Sequence, residues 1–92
     1  MKTDWRKEFN KLMASLKNHK EAEEVLDVLL TPAEYDELSK RWQIVSMLLS
    51  GETQRCISDI LSVSTATVSR GAKEVKYGDS PLQKYYDRIK SK

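Results

Sequence analysis

The chain contains few of the residues that build disulfides, metal centres and catalytic sites. Its 92 residues include one cysteine and one histidine. Cys56 alone permits no internal disulfide, and with His19 as the sole histidine no spacing typical of a metal site exists. The sequence pattern also offers no acid–base pair and no activated nucleophile. These absences argue against an enzyme and against a metal or prosthetic group.

Glycine, proline and long apolar runs are equally scarce. There are three glycines and two prolines, and no apolar stretch approaches the roughly 18 residues of a membrane span. The N-terminal segment MKTDWRKEF has no signal-peptide core, so we expect a cytoplasmic protein. A chain of 92 residues is short, and we expect residues 1–92 to form a single domain.

The stretch from Thr53 to Gly71 predicts two short helices joined by a tight turn. Thr53 suits the N-cap of the first helix and Ser64 that of the second. Apolar side chains that would close a small core between the two helices are Ile57, Leu61, Val63 and Val68. This pattern is typical of a DNA-binding helix-turn-helix over about 53–76, in which the second helix enters the major groove.

The outward face of this helical pair is short, polar and basic, as contact with bases and phosphates requires. Residues 1–40 contain 7 basic and 9 acidic residues, whereas residues 41–92 contain 9 basic and 5 acidic ones. The excess of positive charge therefore lies in the half that contains the motif. The residues predicted to contact double-stranded DNA are Gln54, Arg55, Ser58, Thr65, Ala66, Thr67, Ser69, Arg70, Lys73 and Lys76.

Four further helices are predicted, and no strand. They span residues 4–18 or 19, residues 20–30, residues 31–50, and a last segment that begins at Ser80-Pro81. Thr31-Pro32-Ala33-Glu34 is the strongest start signal, because it combines an N-cap, proline at the first helical position and glutamate two positions later. Gly51 should end that helix, and the tail from Lys90 to Lys92 should be frayed. The expected fold is therefore all-α with six helices.

Large apolar side chains recur at helical spacing on several of these helices. The N-terminal stripe consists of Trp5, Phe9, Leu12 and Leu16. A six-helix monomer of this size would leave such faces exposed, so we expect a homodimer. A symmetric dimer also presents two reader helices to two DNA half-sites.

Several short motifs resemble the tryptophan repressor family, and the resemblance covers nearly the whole chain. These motifs are Thr31-Pro32-x-Glu34, Arg41, Leu48-Leu49-x-Gly51-Glu52, Gln54-Arg55 and Thr67-Val68-Ser69-Arg70-Gly71. The resemblance implies an intertwined all-helical homodimer. It also implies a repressor of genes for tryptophan biosynthesis or transport, with L-tryptophan as co-repressor.

The resemblance further implies which residues bind the effector. Arg41 and Arg70 would sandwich the indole, because guanidinium planes stack on aromatic faces. Thr31 and Arg70 would hold the carboxylate, and Gly71 would leave room for the ring. The carbonyls of Val28 and Leu30 from the partner chain would accept hydrogen bonds from the ammonium group, with Glu74 nearby. Residue type alone favours surface salt bridges for Arg41 and Arg70, and the resemblance reverses that preference.

The sequence departs from the family pattern at three places. Glu74 replaces a small hydroxyl residue, Ser62 replaces the glycine of the turn, and the segment between Gly51 and Gln54 is one residue shorter. Ser62 should need a positive φ, which is less comfortable for serine than for glycine.

Two alternatives to the ligand-gated repressor follow from the sequence. The first is a DNA-binding regulator of the same fold that needs no ligand, or a different one, with Glu74 filling the pocket by pairing with Arg41 or Arg70. The second is a protein-interaction module with a vestigial helix-turn-helix, whose basic face meets an acidic partner.

Overall fold

The computed structural model describes residues 4–76 and 81–90, except for the side chains of residues 74–76. Within these residues it contains six helices and no strand, which confirms the all-α prediction. The helices are α1 (Trp5–Ser15), α2 (His19–Leu29), α3 (Pro32–Leu49), α4 (Gln54–Leu61), α5 (Thr65–Lys76) and α6 (Leu82–Lys90). The chain divides into two compact units, Met1–Asp36 and Glu37–Lys92.

The first helix ends earlier than predicted, at Ser15, and the second begins one residue earlier, at His19. The reason is a cap at Asn18, whose side chain accepts a hydrogen bond from the Glu21 backbone N–H at 3.0 Å. The Glu21 carboxylate in turn accepts one from the Lys17 backbone N–H at 2.9 Å. This exchange stabilises the start of α2 and excludes residues 17 and 18 from a continuous α1.

The predicted capping box at the start of α3 is present. The Glu34 N–H donates to Thr31 Oγ1 at 3.2 Å, and the Thr31 N–H donates to the Glu34 carboxylate at 2.9 Å. Hydrogen bonds from the Thr31 backbone and hydroxyl lower the pKa of Glu34, because they favour its ionised form. Pro32 occupies the first helical position, as expected.

Two residues with positive φ set the ends of α3 and α4. Gly51, at φ 96°, follows the end of α3 at Leu49. Ser62 is the C-cap of α4 with φ 55° and ψ 44°, so the expected left-handed turn exists with serine in it. Thr53 caps α4 by accepting from the Cys56 N–H at 3.1 Å, and Ser64 caps α5 by accepting from the Thr67 N–H at 3.1 Å.

The second unit contains a small apolar core. Its buried members are Ile44 from α3, Ile57 from α4 and Val68 from α5. Partly buried side chains packed against them are Met47, Leu48, Leu61 and Val63. The predicted contact between α4 and α5 is thus confirmed, and α3 completes the core.

The first unit differs, because neither α1 nor α2 has a buried residue. Trp5 is 82% exposed and Val28 is 84% exposed. A cavity of about 380 Å³ is lined by Leu12, Glu24, Val25, Val28 and Leu29. Of the apolar stripe predicted from the sequence, Trp5, Phe9 and Leu12 are exposed in a single chain and Leu16 is half-buried.

Several predictions lie outside the described residues. These are the end of α5 at Tyr77-Gly78, the cap at Ser80, the frayed tail at Ser91-Lys92, and the side chains of Glu74 and Lys76. The last helix, α6, begins at Leu82, directly after Pro81 in a turn.

Candidate effector pocket and reader helix

A cavity of about 600 Å³ lies beside α3 and α5 in the second unit. It is lined by Glu37, Lys40, Arg41, Ile44, Val45, Val63, Thr67, Arg70 and Gly71. Ile44, Val45 and Val63 form an aliphatic part of the lining, called the floor below. The charged side chains in the lining are three cations, those of Lys40, Arg41 and Arg70, and one carboxylate, that of Glu37. An apolar floor with cationic walls suits a ligand that combines a hydrophobic body with an anionic group.

Arg41 has an anionic neighbour in the cavity wall. Its Nη2 lies 3.4 Å from Oε1 of Glu37, one helical turn earlier on α3. The two side chains are 72% and 68% exposed. An exposed ion pair of this kind contributes at most about 1 kcal/mol, so a ligand can displace it at small cost.

Gly71 allows α5 to lie close to α3. A Cβ atom at this position would lie 2.8 Å from Ile44 Cγ2 and 3.6 Å from Leu48 Cδ1. The glycine is therefore needed for the packing of the two helices, a reason different from the room for a ring that the resemblance implies. Because Gly71 also lines the cavity, the same approach defines the cavity wall.

The structure brings together part of the predicted effector site. Arg41, Arg70 and Gly71 line one cavity, whereas Val28, Leu30 and Thr31 lie in the first unit, at the end of α2 and the start of α3. Val28 is in the last turn of α2, where carbonyls lack intrahelical partners. The Thr31 hydroxyl accepts the Glu34 N–H, and its own hydrogen bond to the Glu34 carboxylate helps to lower the pKa of Glu34. The Glu74 side chain is outside the described residues.

Most predicted DNA-contacting side chains lie on the outer surface of α4 and α5. Those exposed are Gln54, Arg55, Thr65, Ala66, Thr67, Arg70 and Lys73, whereas Ser58 and Ser69 are half-buried. The Thr67 hydroxyl lies 2.8 Å from Ser64 Oγ in the cap of α5. The side chain of Lys76 is not among the described ones.

Ser58 stabilises the turn between α4 and α5. Its hydroxyl donates to the Val63 carbonyl at 2.5 Å, and the Val63 N–H donates to the Ser58 carbonyl at 3.2 Å. These reciprocal bonds span the left-handed Ser62. They fix the angle at which α5 leaves α4.

Sequence reasoning did not place six of the cavity residues in the effector site. These are Glu37, Lys40, Ile44, Val45, Val63 and Thr67, of which Thr67 was predicted only as a DNA contact. The spacing of Glu37 and Arg41 at i and i+4 was a readable signal for their ion pair. No sequence signal predicted the aliphatic floor, because the apolar spacing along a helix does not indicate which of its side chains border a cavity.

Cys56 lies in the first turn of α4 and is half-buried. A hydrogen bond to the Glu52 carboxylate raises the pKa of its thiol, and burial and nearby negative charges act in the same direction. A thiol with a raised pKa is a poor nucleophile at neutral pH.

Within the described residues, no helix has the length and apolar character needed to cross a membrane. The same part of the chain contains no group of three or more histidine, cysteine, aspartate or glutamate residues placed to hold a metal ion.

Comparison with known proteins agrees with this architecture. The profile of the family described as "Trp repressor protein" matches residues 4–90. The Trp operon repressor homolog of Vibrio campbellii is 39% identical over 74 residues, covering 79% of this chain and 73% of the relative. The homolog of Vibrio vulnificus strain YJ016 is 40% identical over 75 residues, covering 80% and 72%.

A relative of unknown function matches over a longer stretch. The uncharacterized protein YerC of Bacillus subtilis is 34% identical over 82 residues, covering 89% of this chain and 78% of the relative. The family match over nearly the whole length, together with the helical order and the Vibrio relatives, leads to one conclusion. The chain belongs to the Trp repressor family, whose named members among these relatives are regulators.

Proposed function

We propose that this protein is a DNA-binding transcriptional repressor that acts as a homodimer and uses L-tryptophan as its co-repressor. One observation supports the proposal most strongly. Arg70 belongs to α5, which has an exposed polar and basic face, and its side chain also lines the cavity beside α3. A ligand that contacts Arg70 therefore contacts the helix that would read DNA.

In this proposal α4 and α5 form a helix-turn-helix within a single functional domain, residues 1–92. Thr65, Ala66 and Ser69 approach base edges in the major groove. The positive side chains that meet phosphates are Arg55, Arg70, Lys73 and Lys76. Gln54, Ser58 and Thr67 complete the contact surface, with Ser58 and Thr67 also supporting the turn and the cap described above.

The effector lies between Arg41 and Arg70, over the aliphatic floor. The carboxylate pairs with Arg70 and competes with the Glu34 carboxylate for the hydroxyl proton of Thr31, and the ammonium reaches the carbonyls of Val28 and Leu30 from the partner chain. Glu74 accepts a hydrogen bond from the same ammonium, which favours an amino acid over indole acids without one. Binding fixes α5 in the orientation that DNA requires.

The exposed apolar side chains of the first unit support the proposed homodimer. Its helices α1 and α2 have no buried residue, and Phe9 is 46% exposed. Full burial of an exposed apolar side chain contributes about 1.5–3 kcal/mol, and a second copy that covers the remaining exposed surface of Phe9 and Leu12 would gain a part of that for each. The partner copy also supplies carbonyls that a single chain leaves unused.

Calorimetry of the purified protein against L-tryptophan, L-phenylalanine and L-tyrosine tests the effector directly. We expect one site per chain, with L-tryptophan binding most tightly. If none of the three binds even at millimolar concentration, L-tryptophan is not the effector.

A second candidate function is a regulator of the same fold that binds DNA without an effector. The Glu37–Arg41 ion pair favours it, because the guanidinium already has an anionic partner. In that case DNA affinity would be independent of all three amino acids, while the reader helix would act as proposed. The relative YerC of Bacillus subtilis, whose function is uncharacterized, is compatible with a branch of the family that needs no effector.

A further inference from the structure

A side-chain hydrogen bond joins the start of α4 to the middle of α5. The Ser69 hydroxyl donates to Oε1 of Gln54 at a distance of 3.0 Å, across 15 positions of sequence. Gln54 is the first residue of α4 and is exposed, whereas Ser69 is half-buried. The half-buried Ser69 therefore orients the exposed side chain of Gln54.

This bond determines which hydrogen-bond donors and acceptors of Ser69 and Gln54 remain available to other groups. A serine hydroxyl has one proton, and here Gln54 accepts it, so Ser69 Oγ presents only lone pairs to any other group. The Gln54 carboxamide uses its oxygen in this bond, which leaves both N–H groups of Nε2 directed away from Ser69. These N–H groups pair only with an acceptor, such as a phosphate oxygen.

Two features at the start of α4 favour an anion beside Gln54, and they act against the Glu52 carboxylate at Cys56. The Thr53 side chain and carbonyl accept the N–H groups of Cys56 and Ile57, so the N–H groups of Gln54 and Arg55 precede the intrahelical ladder. The partial positive charge of a helix N-terminus and the adjacent Arg55 act in the same direction.

We infer that Ser69 is a positioning residue that holds the Gln54 carboxamide so that its N–H groups meet a DNA phosphate beside the groove that α5 enters. This inference rests on the proposed DNA-binding function. Ser69 then acts on affinity through Gln54, in place of the direct base contact proposed for it above.

A double-mutant cycle tests the coupling. The probe is a duplex selected from a randomised pool by the wild-type protein, with affinity measured by fluorescence anisotropy in L-tryptophan. We expect Ser69→Ala and Gln54→Ala each to weaken binding by about 3–10-fold, the loss of one hydrogen bond. Because both remove the same contact, the double variant should bind no more weakly than Gln54→Ala.

Further variants separate positioning from a general effect on folding. Ser69→Thr keeps the hydroxyl and should restore near wild-type affinity. Gln54→Glu still accepts the Ser69 proton but presents a negative oxygen to the phosphate, so its loss should exceed that of Gln54→Ala. Ser50→Ala is the matched control, because the Ser50 hydroxyl, directly after the end of α3, donates to the Met47 carbonyl, and the variant should leave DNA affinity unchanged.

The outcomes distinguish this inference from the function on which it rests. If the losses of the two single variants multiply in the double variant, Ser69 does not act through Gln54 and the inference is overturned while DNA binding stands. If the wild-type protein selects no duplex at all, the proposed DNA-binding function fails and the phosphate role of Gln54 fails with it.

Discussion

Arg41 and Arg70 occupy the same cavity wall from two different helices, and only Arg41 has a described carboxylate within ion-pair distance. The type of these residues alone did not distinguish a ligand site from two surface charges. Their location beside the aliphatic side chains of one cavity supports the proposed ligand site, and that location depends on how closely α5 approaches α3. No sequence pattern predicts that a Cβ atom at position 71 would lie only 2.8 Å from Ile44 Cγ2.

Removing Arg41 should cost most of the effector affinity. Arg41→Ala deletes one of the two planes between which the indole would stack, and such stacking contributes about 0.5–2 kcal/mol. We expect the dissociation constant for L-tryptophan to rise by about 3–30-fold in calorimetry. Arg6→Ala, an exposed arginine on α1, is the control and should change nothing. Equal affinity of Arg41→Ala and wild type would place the ligand elsewhere.

At the scale of elements, local signals predicted most of the helices. The capping box at Thr31 and Glu34, the stop at Gly51 and the caps at Thr53 and Ser64 all depend on residues within four positions of each other. The predicted boundary between α1 and α2 was wrong. Asn18 caps α2, and the Glu21 carboxylate binds the backbone N–H of Lys17, which is a local signal of the same kind.

The two positive-φ residues should respond oppositely to substitution. Ser62→Gly relieves left-handed strain and should raise the free energy of unfolding by up to about 1 kcal/mol. Gly51→Ala should lower it by about 1 kcal/mol, and since no atom lies within 4 Å of the added Cβ, the cost is conformational. Urea denaturation measures both. A destabilised Ser62→Gly variant would show that the serine side chain, rather than the backbone, stabilises the turn.

The capping box should make α3 sensitive to acid. The pKa of Glu34 is lowered in the folded protein, so the unfolded chain binds a proton more readily. The stabilisation by the carboxylate is therefore present above the pKa of unfolded glutamate and is lost as the pH falls through the folded value. Glu34→Gln should be less stable than wild type at neutral pH, and the difference should shrink toward acid in thermal melts at stepped pH. A constant difference would mean that the charge of Glu34 has no role.

At the scale of the whole molecule, the proposed homodimer would cover apolar side chains that helices α1 and α2 leave exposed. We expect sedimentation equilibrium at micromolar concentration to give the mass of a dimer. Phe9→Glu places a charge in the covered stripe and should shift the protein toward monomer or unfold it, whereas Lys11→Glu, also exposed on α1, should remain dimeric. A folded wild-type monomer at this concentration would contradict the proposed assembly.

The central claim is that an effector in the cavity of Arg41 and Arg70 governs DNA binding by α5. Its most direct test is the affinity of the wild-type protein for a selected duplex, measured by fluorescence anisotropy with and without saturating L-tryptophan at one fixed salt concentration. We expect L-tryptophan to tighten binding by about 5–150-fold, the usual range of coupling between two sites. Tight binding that is identical with and without L-tryptophan would contradict the claim and leave the effector-independent regulator in its place.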